Sequence, residues 1–361
     1  MLIGIKAITH SNHFPYNYLF YVSESYSFSI LRPLQEAIQN SGGRVTWFFE
    51  GTNIDRSYIH DNEEEIESIE EVIKYNPRAI FAPGNEIPHF FPGVKVRLFH
   101  GFVSEKLKRN NSPYSTIVRP WFDLYCTLGP DLTEAYSKSA KKLGFFKVIE
   151  TGWSKVDPLF TNNKNASNKK PVILVASTFT PRYTLAPHLK DEIEKLSKQG
   201  DWEWLITFHP KMDQNTVESY KAIQHKNLQF IETDNVIPLL QKADVLVCDS
   251  SSIKSEFLIQ KKPVVAFRVE PKLEHLLNIE QASELKNEIF NALKPSQEYL
   301  NKVKKYTQGI HPYFDGRSSY RVLEAVETYL TDPVKPVKKK PIGMIRKFKI
   351  RKKLGFWKFK T

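Results

Sequence analysis

The chain is predicted to be an α/β protein with two doubly wound, Rossmann-like domains facing a central cleft, and three observations carry this expectation. Short runs of β-branched and aromatic residues recur along the chain, each followed by a helical pattern. These runs are apolar on both faces, as in parallel strands covered by helices on either side. The length of 361 residues exceeds what one hydrophobic core organises, so two domains are expected.

The second half shows the pattern most clearly. PVILVAS (171–177), WEWLITF (202–208), LQFIE (228–232), DVLVCD (244–249) and PVVAF (263–267) are the strand candidates there. Helices are expected between them near 189–199, 214–224, 236–242 and 252–260. In the first half the candidate strands are LIGIKAI (2–8), VTWFF (45–49), AIFAP (79–83), VKVRLF (94–99), DLYCTL (123–128) and KVIET (147–151). Helices are expected over 31–40, the acidic stretch 62–75, and 131–143. TNNKNASNKKP (161–171) lacks apolar periodicity and reads as a linker. Helical segments follow near 279–307 and 317–330. The expected plan is a first domain over 1–160, a linker over 161–171, a second domain over 172–330 and a tail over 331–361.

A composition of 41% hydrophobic and 25% charged residues excludes wholesale disorder. The net charge of +12 first suggests a nucleic-acid binder, but its distribution argues otherwise. Residues 331–361 hold ten lysines, two arginines and one aspartate, a net +11, which leaves the body at +1. Two cysteines, Cys126 and Cys248, lie in apolar runs and exclude a disulfide framework or a cysteine-rich zinc site. The N-terminus lacks the pattern of a secretory leader and no run approaches the roughly 20 apolar residues of a spanning helix, so a cytoplasmic location is expected.

In an open parallel sheet, ligands bind beyond the carboxyl ends of the strands. Three sites there carry polar residues that packing does not require. His100-Gly101 follows VKVRLF, where a histidine can act as a base and a glycine lets the backbone approach a ligand. His209-Pro210-Lys211 follows WEWLITF and offers an imidazole and an ammonium group to a phosphate. Asp249-Ser250-Ser251-Ser252 precedes a helix, where hydroxyls and backbone N–H groups suit an anion. Each motif alone reads at least as readily as a structural turn or cap. Together they suit transfer from a diphosphate donor, which needs a base for the acceptor and positive character for the leaving group. A glycine-rich phosphate loop is absent, which disfavours kinase-type chemistry, and no metal-ligand cluster is visible.

In order along the chain, HG (100–101), TGWSKVD (151–157), PVILVAST (171–178), TFHP (207–210), ADVLVCDSSSIKSEFLIQKKPVVAF (243–267) and HPYFDGRSSYRVLEAV (311–326) form a series. This series resembles the CDP-glycerol glycerophosphotransferase family of teichoic acid synthesis. The resemblance implies a GT-B fold, an acceptor-side first domain and a second domain that binds the nucleotide donor. It implies attack by an acceptor hydroxyl on the β-phosphorus of a CDP-polyol, with release of CMP and no cofactor. His100 is then the general base, and His209 lies by the donor phosphates with Gly101, Lys211, Asp249, Ser250, Ser251 and Ser252. Arg317 and Arg321, and further Lys155 and His311, are carried over as donor-side candidates. The chain departs from the family in having Ser250 where tyrosine is usual, Gly152-Trp153-Ser154-Lys155 where a proline-arginine pair is usual, and a displaced Lys106. The donor therefore stays open among glycerol, ribitol and sugar nucleotides. A glycosyltransferase or nucleotide-sugar epimerase on the same fold is the alternative enzyme, and a non-catalytic polyanion-binding protein the alternative of another class.

On a helical wheel Ile342, Met344, Phe348, Ile350 and Phe356 of the tail share no face, so a clean amphipathic helix is not expected. Lysines interleaved with Phe348, Phe356, Trp357 and Phe359 nevertheless suit an anionic interface. The expected partners are a CDP-activated donor, a glycan or lipid-linked acceptor, and an anionic membrane surface met through 333–361, with nucleic acid disfavoured. This places the protein peripherally on the inner face of the cell membrane.

Overall fold

Strands apolar on both faces need cover on both sides, and the chain meets this need twice. The computed structural model describes residues 13–51, 54, 56–102, 118–161, 170–233 and 235–358. Among these, β1 (Asn17–Val22), β2 (Arg44–Phe49), β3 (Ala79–Ala82), β4 (Val94–Arg97), β5 (Leu124–Thr127) and β6 (Lys147–Glu150) form one parallel sheet in the order β2-β1-β3-β4-β5-β6. Helices α1 (Ser27–Asn40), α2 (Ile69–Tyr75) and α3 (Pro130–Leu143) lie in its connections. After α4 (Pro158–Thr161), a second parallel sheet comprises β7 (Val172–Ser177), β8 (Glu203–Phe208), β9 (Leu228–Phe230), β10 (Val245–Cys248), β11 (Val264–Phe267) and β12 (Leu277–Ile279). Its order is β12-β11-β10-β7-β8-β9, which counted from β7 is the 3-2-1-4-5-6 order of a doubly wound sheet. Its helices are α5 (Ala186–Gln199), α6 (Gln214–Lys221), α7 (Ile237–Lys242), α8 (Ile253–Leu258), α9 (Leu285–Leu293) and α10 (Gln297–Ile310). The chain closes with α11 (Ser318–Thr331) and α12 (Met344–Lys353).

Several elements differ from expectation. The candidate strand 2–8 lies outside the described residues, as does most of the expected linker 161–171. The first sheet instead gains β1, between β2 and β3, whose Tyr18, Phe20 and Tyr21 are fully buried and pack against Phe81, Trp47 and Phe48. The acidic stretch 62–75 is helical only from Ile69, because Ser68 and Glu71 form a reciprocal capping box there. The expected helix 279–307 is two helices, α9 and α10, separated at Pro295.

Backbone packing divides the chain into two compact units, Met1–Lys155 with Arg317–Thr361, and Val156–Gly316. Residues 317–330, expected in the second domain, thus belong to the first unit. The reason is the apolar face of α11, whose Val322, Leu323, Ala325 and Val326 are buried, with α11 packed on α1 and β5. Around this face, Glu327 accepts from Arg78 Nε at 2.6 Å, Asp332 pairs with Lys147, and Arg321 Nε donates to the Thr151 carbonyl at 2.8 Å.

The tail also differs. It contains a helix, α12, with Ile350 facing inward and Phe356 stacked on Phe90 at 4.9 Å between ring centroids. Lys340 pairs with Asp123 at 2.6 Å and Lys353 with Glu50 at 2.5 Å. Met344, Ile345 and Phe348 point away, 86%, 74% and 56% exposed, and Trp357 joins Phe348 at 5.1 Å. The apolar residues share no single face because they serve two opposed ones.

The bidentate Arg78–Glu327 pair should hold α11 in the first unit. Glu327→Gln is expected to cost about 1 kcal/mol, read as a lower thermal midpoint and as loss of amide protection in α11 together with β3.

Candidate active-site residues

Where the strand order of a doubly wound sheet reverses, the flanking loops separate and leave a crevice. In the second unit that reversal lies between β7 and β10, and Asp249 stands directly after β10. Asp249 is fully buried, and its carboxylate accepts from Ser177 Oγ at 2.7 Å and from the backbone N–H groups of Thr178, Leu185 and Ser251 at 3.0–3.1 Å. One side chain thus holds the end of β7, the start of α5 and the turn into α8. Burial outweighs these four hydrogen bonds and lifts the Asp249 carboxyl above the usual carboxylate range.

The turn so fixed presents Ser250, Ser251 and Ser252, of which Ser250 and Ser252 are exposed and Ser251 half-buried. Their hydroxyls make no hydrogen bond among the described residues, and Ser252, at the N-cap of α8, makes no side-chain capping bond. Buried Lys254 places its Nζ 3.3 Å from the Ser251 carbonyl, so a cation lies under the serine turn. Lys262 has another purpose. Its ammonium takes the carbonyls of Leu240, Gln241 and Ala243 at 2.8–3.1 Å, capping the end of α7, and burial brings its pKa down to about 8.

His209 follows β8, the neighbour of β7. Its Nδ1 accepts the Lys211 N–H at 3.0 Å, and Phe179 lies 4.5 Å from its ring centroid. An Nδ1 that accepts carries no proton, so the neutral ring holds its hydrogen on Nε2 and presents a donor. Burial first, then the Lys211 charge, lowers the His209 pKa below its ordinary value, which keeps this tautomer at neutral pH.

In the first unit the strand order reverses between β1 and β3. His100, beyond β4, reaches back toward this point, with Nδ1 3.3 Å from the carbonyl of Pro83 at the end of β3. Tyr26, at the start of α1, lies 5.0 Å from its ring. A carbonyl only accepts, so here the proton sits on Nδ1 and the basic lone pair on Nε2. Among the described residues nothing lies within 4 Å of where a Cβ on Gly101 would be. Beneath this loop Trp153 donates its Nε1–H to the Phe99 carbonyl at 2.9 Å, and Lys155 stacks on Trp153 at 5.1 Å.

The structure therefore gathers His209, Lys211, Ser250, Ser251 and Ser252 around the second unit's strand ends, and His100, Gly101 and Lys155 around the first unit's. Asp249 is buried and spent on internal donors, so it positions the turn instead of touching a ligand. His311 is 1% exposed, packed against Phe160 and Tyr313. Arg317 and Arg321 belong to the first unit, and Arg321 is engaged with Thr151. Lys106 lies outside the described residues. Thr178, Phe179 and Lys254 were not singled out from the sequence. For Lys254 the available signal was its spacing of four from Ser250, which returns it beneath the turn once α8 starts.

Asp249→Asn keeps the shape but turns an amide N–H₂ toward N–H donors. It is expected to cost roughly 2–3 kcal/mol in chemical denaturation and to loosen the serine turn.

The chain resembles known proteins in sequence and in fold. Residues 122–273 match the model of the family described as CDP-Glycerol:Poly(glycerophosphate) glycerophosphotransferase. The chain is 24% identical over 225 residues to the teichoic acid glycerol-phosphate primase of Bacillus subtilis (strain 168), the match covering 57% of this chain and 58% of that protein. Among solved structures it resembles the wall teichoic acid polymerase TagF, with a TM-score of 0.64 at 17% identity over 88% of this chain and 89% of that one. A variant of that polymerase soaked with CDPG matches with a TM-score of 0.61 at 18% identity over 88% and 90%. The UDP-GlcNAc 2-epimerase of Neisseria meningitidis gives 0.56 at 13% identity over 86% and 100%. The expected GT-B-type pair of Rossmann-like α/β domains is borne out by these neighbours. Over residues 122–273, the chain is similar to the CDP-glycerol:poly(glycerophosphate) glycerophosphotransferase family.

Proposed function

We propose that the chain is a transferase that moves glycerol phosphate, or a related polyol phosphate, from a CDP-activated donor to a hydroxyl of a glycan or lipid-linked acceptor, releasing CMP. The observation that carries this reading is the pair of histidines at strand ends, one in each unit, in opposite tautomers. His100 offers a basic Nε2 to take the acceptor's proton as its oxygen bonds to the β-phosphorus. His209 offers an Nε2–H to the phosphate oxygen that carries negative charge as the bridging P–O bond breaks and CMP leaves. Ser250, Ser251 and Ser252 supply hydroxyl donors to the diphosphate, with Lys211 and Lys254 adding positive potential. The family match and the CDPG-soaked neighbour support a CDP-linked donor. An epimerase shares the fold at 13% identity, and fold alone carries no activity.

Folded His100→Ala is expected to lower CMP release from CDP-glycerol by 10²–10⁴-fold while leaving CDP binding intact. His209→Ala should lower it by 10²–10³-fold. Full CMP release by both variants, or consumption of UDP-sugars in place of CDP-glycerol, would overturn the assignment. By imidazole NMR, His209 should titrate below its usual range, and a bound pyrophosphate should move that titration upward, because an anion favours the charged ring.

The outward face of α12 supports a second, finer proposal, peripheral attachment to an anionic membrane surface on the inner face of the cell membrane. Met344, Ile345, Phe348 and Trp357 form an exposed apolar patch among lysines, and Ile350 and Phe356 tie that patch to the first unit. Among the described residues no helix is long and apolar enough to cross a membrane. Replacing Ile345, Phe348 and Trp357 with serine should reduce partition onto phosphatidylglycerol vesicles at least tenfold with an unchanged thermal midpoint. Unaltered partition would sink this attachment.

A further inference from the structure

The first unit contains a buried guanidinium that nothing in the proposed chemistry uses. Arg97 ends β4, three residues before His100, and is 6% exposed. Its Nη2 donates to Asn85 Oδ1 at 3.1 Å, and its guanidinium lies 5.7 Å from the Phe99 ring and 5.3 Å from the Phe122 ring. Its Nη1 has no hydrogen-bond partner among the described residues, and no carboxylate there pairs with it. The groups that face it electrostatically are the phenols of Tyr125, Tyr136 and Tyr26 and a second cation, Arg119. A buried charge without a counter-charge is costly, and a Met or Leu of similar volume would fill the same aromatic surroundings without that cost. What the described residues lack at this point is an anion.

A route for one is present. Asn85, the partner of Arg97, also lines a cavity of about 400 Å³ whose wall includes Arg119 and, from α12, Arg346. Glu86 is the acid on that wall, against these two arginines. An anion in the cavity meets Arg97 across the Asn85 amide, which can exchange its hydrogen bond for one from the ligand. Two guanidinium forks on the cavity wall and a third behind Asn85 suit an oxyanion with several acceptor oxygens better than a single carboxylate.

We propose that Arg97, Asn85, Arg119 and Arg346 form a binding subsite for a phosphate ester in the first unit, close in sequence and space to the His100 loop. That this ester belongs to the acceptor rests on the transfer reaction proposed above. Binding of the phosphate itself does not.

The test is calorimetric titration of the full chain with glycerol 3-phosphate at low ionic strength, with excess CMP present and no CDP-activated donor. A parallel arm measures binding to phosphatidylglycerol vesicles against phosphatidylcholine vesicles. The wild-type chain is expected to bind one equivalent of glycerol 3-phosphate, and Arg97→Met to weaken this at least tenfold while melting at the same or a higher temperature. Asn85→Asp, which supplies Arg97 with an internal carboxylate, should weaken binding similarly and guards against misreading a folding defect. A loss confined to the vesicle arm also supports the site and names a lipid headgroup as the source of the phosphate. Wild-type binding by both variants in both arms, or no binding by the wild-type chain in either, would overturn the subsite. Because no donor turns over, a wrong donor assignment leaves these results unchanged.

Discussion

A parallel sheet whose strand order reverses must let the connections on either side of the reversal part, and the rest of this molecule's polar chemistry follows from how that gap is held. In the second unit a single buried carboxylate does it. Asp249 gathers a hydroxyl and three backbone N–H groups from β7, α5 and the turn before α8. The serine turn and the loop that carries Phe179 against His209 are consequences of that knot. In the first unit the corresponding place is spanned by an imidazole, with His100 leaning on the Pro83 carbonyl and on Tyr26.

The two histidines look interchangeable as residue types, and local backbone chemistry makes them different. One ring nitrogen of His100 meets a carbonyl and the corresponding nitrogen of His209 meets an N–H. A ring has one proton to place when neutral, so the first becomes a base at Nε2 and the second a donor at Nε2. Division of labour in a transfer reaction needs no more than this.

The C-terminal basic segment combines two functions that a helical wheel averages away. Ile350 and Phe356 dock on the first unit, aided by Lys340 and Lys353, while Met344, Ile345, Phe348 and Trp357 face outward. Some of the tail's charge is thereby spent on Asp123, Glu50 and Glu70 of the body. The segment is partly a structural strap, which a count of its net charge could not reveal.

Much of the fold was legible in the sequence. The runs VILVA and VLVC are apolar at every position, the pattern of strands covered on both faces, so the class of fold and the strand-end locations of His100, His209 and the serines followed from residue order. The tail's charge was equally plain. Other matters depended on contacts between segments far apart in the chain. Residues 317–330 join the first unit because the apolar face of α11 finds α1 and β5, about 300 and 200 residues away in sequence. Asp249 resembles a ligand-binding residue until the donors from β7 and α5 arrive and consume its oxygens. Arg97 is a strand-end cation whose burial among aromatic rings leaves it without a carboxylate partner among the described residues. Residue type and periodicity determine which elements form and what chemistry they can carry, whereas burial and partnership, which decide what that chemistry is used for, exist only after the chain has packed.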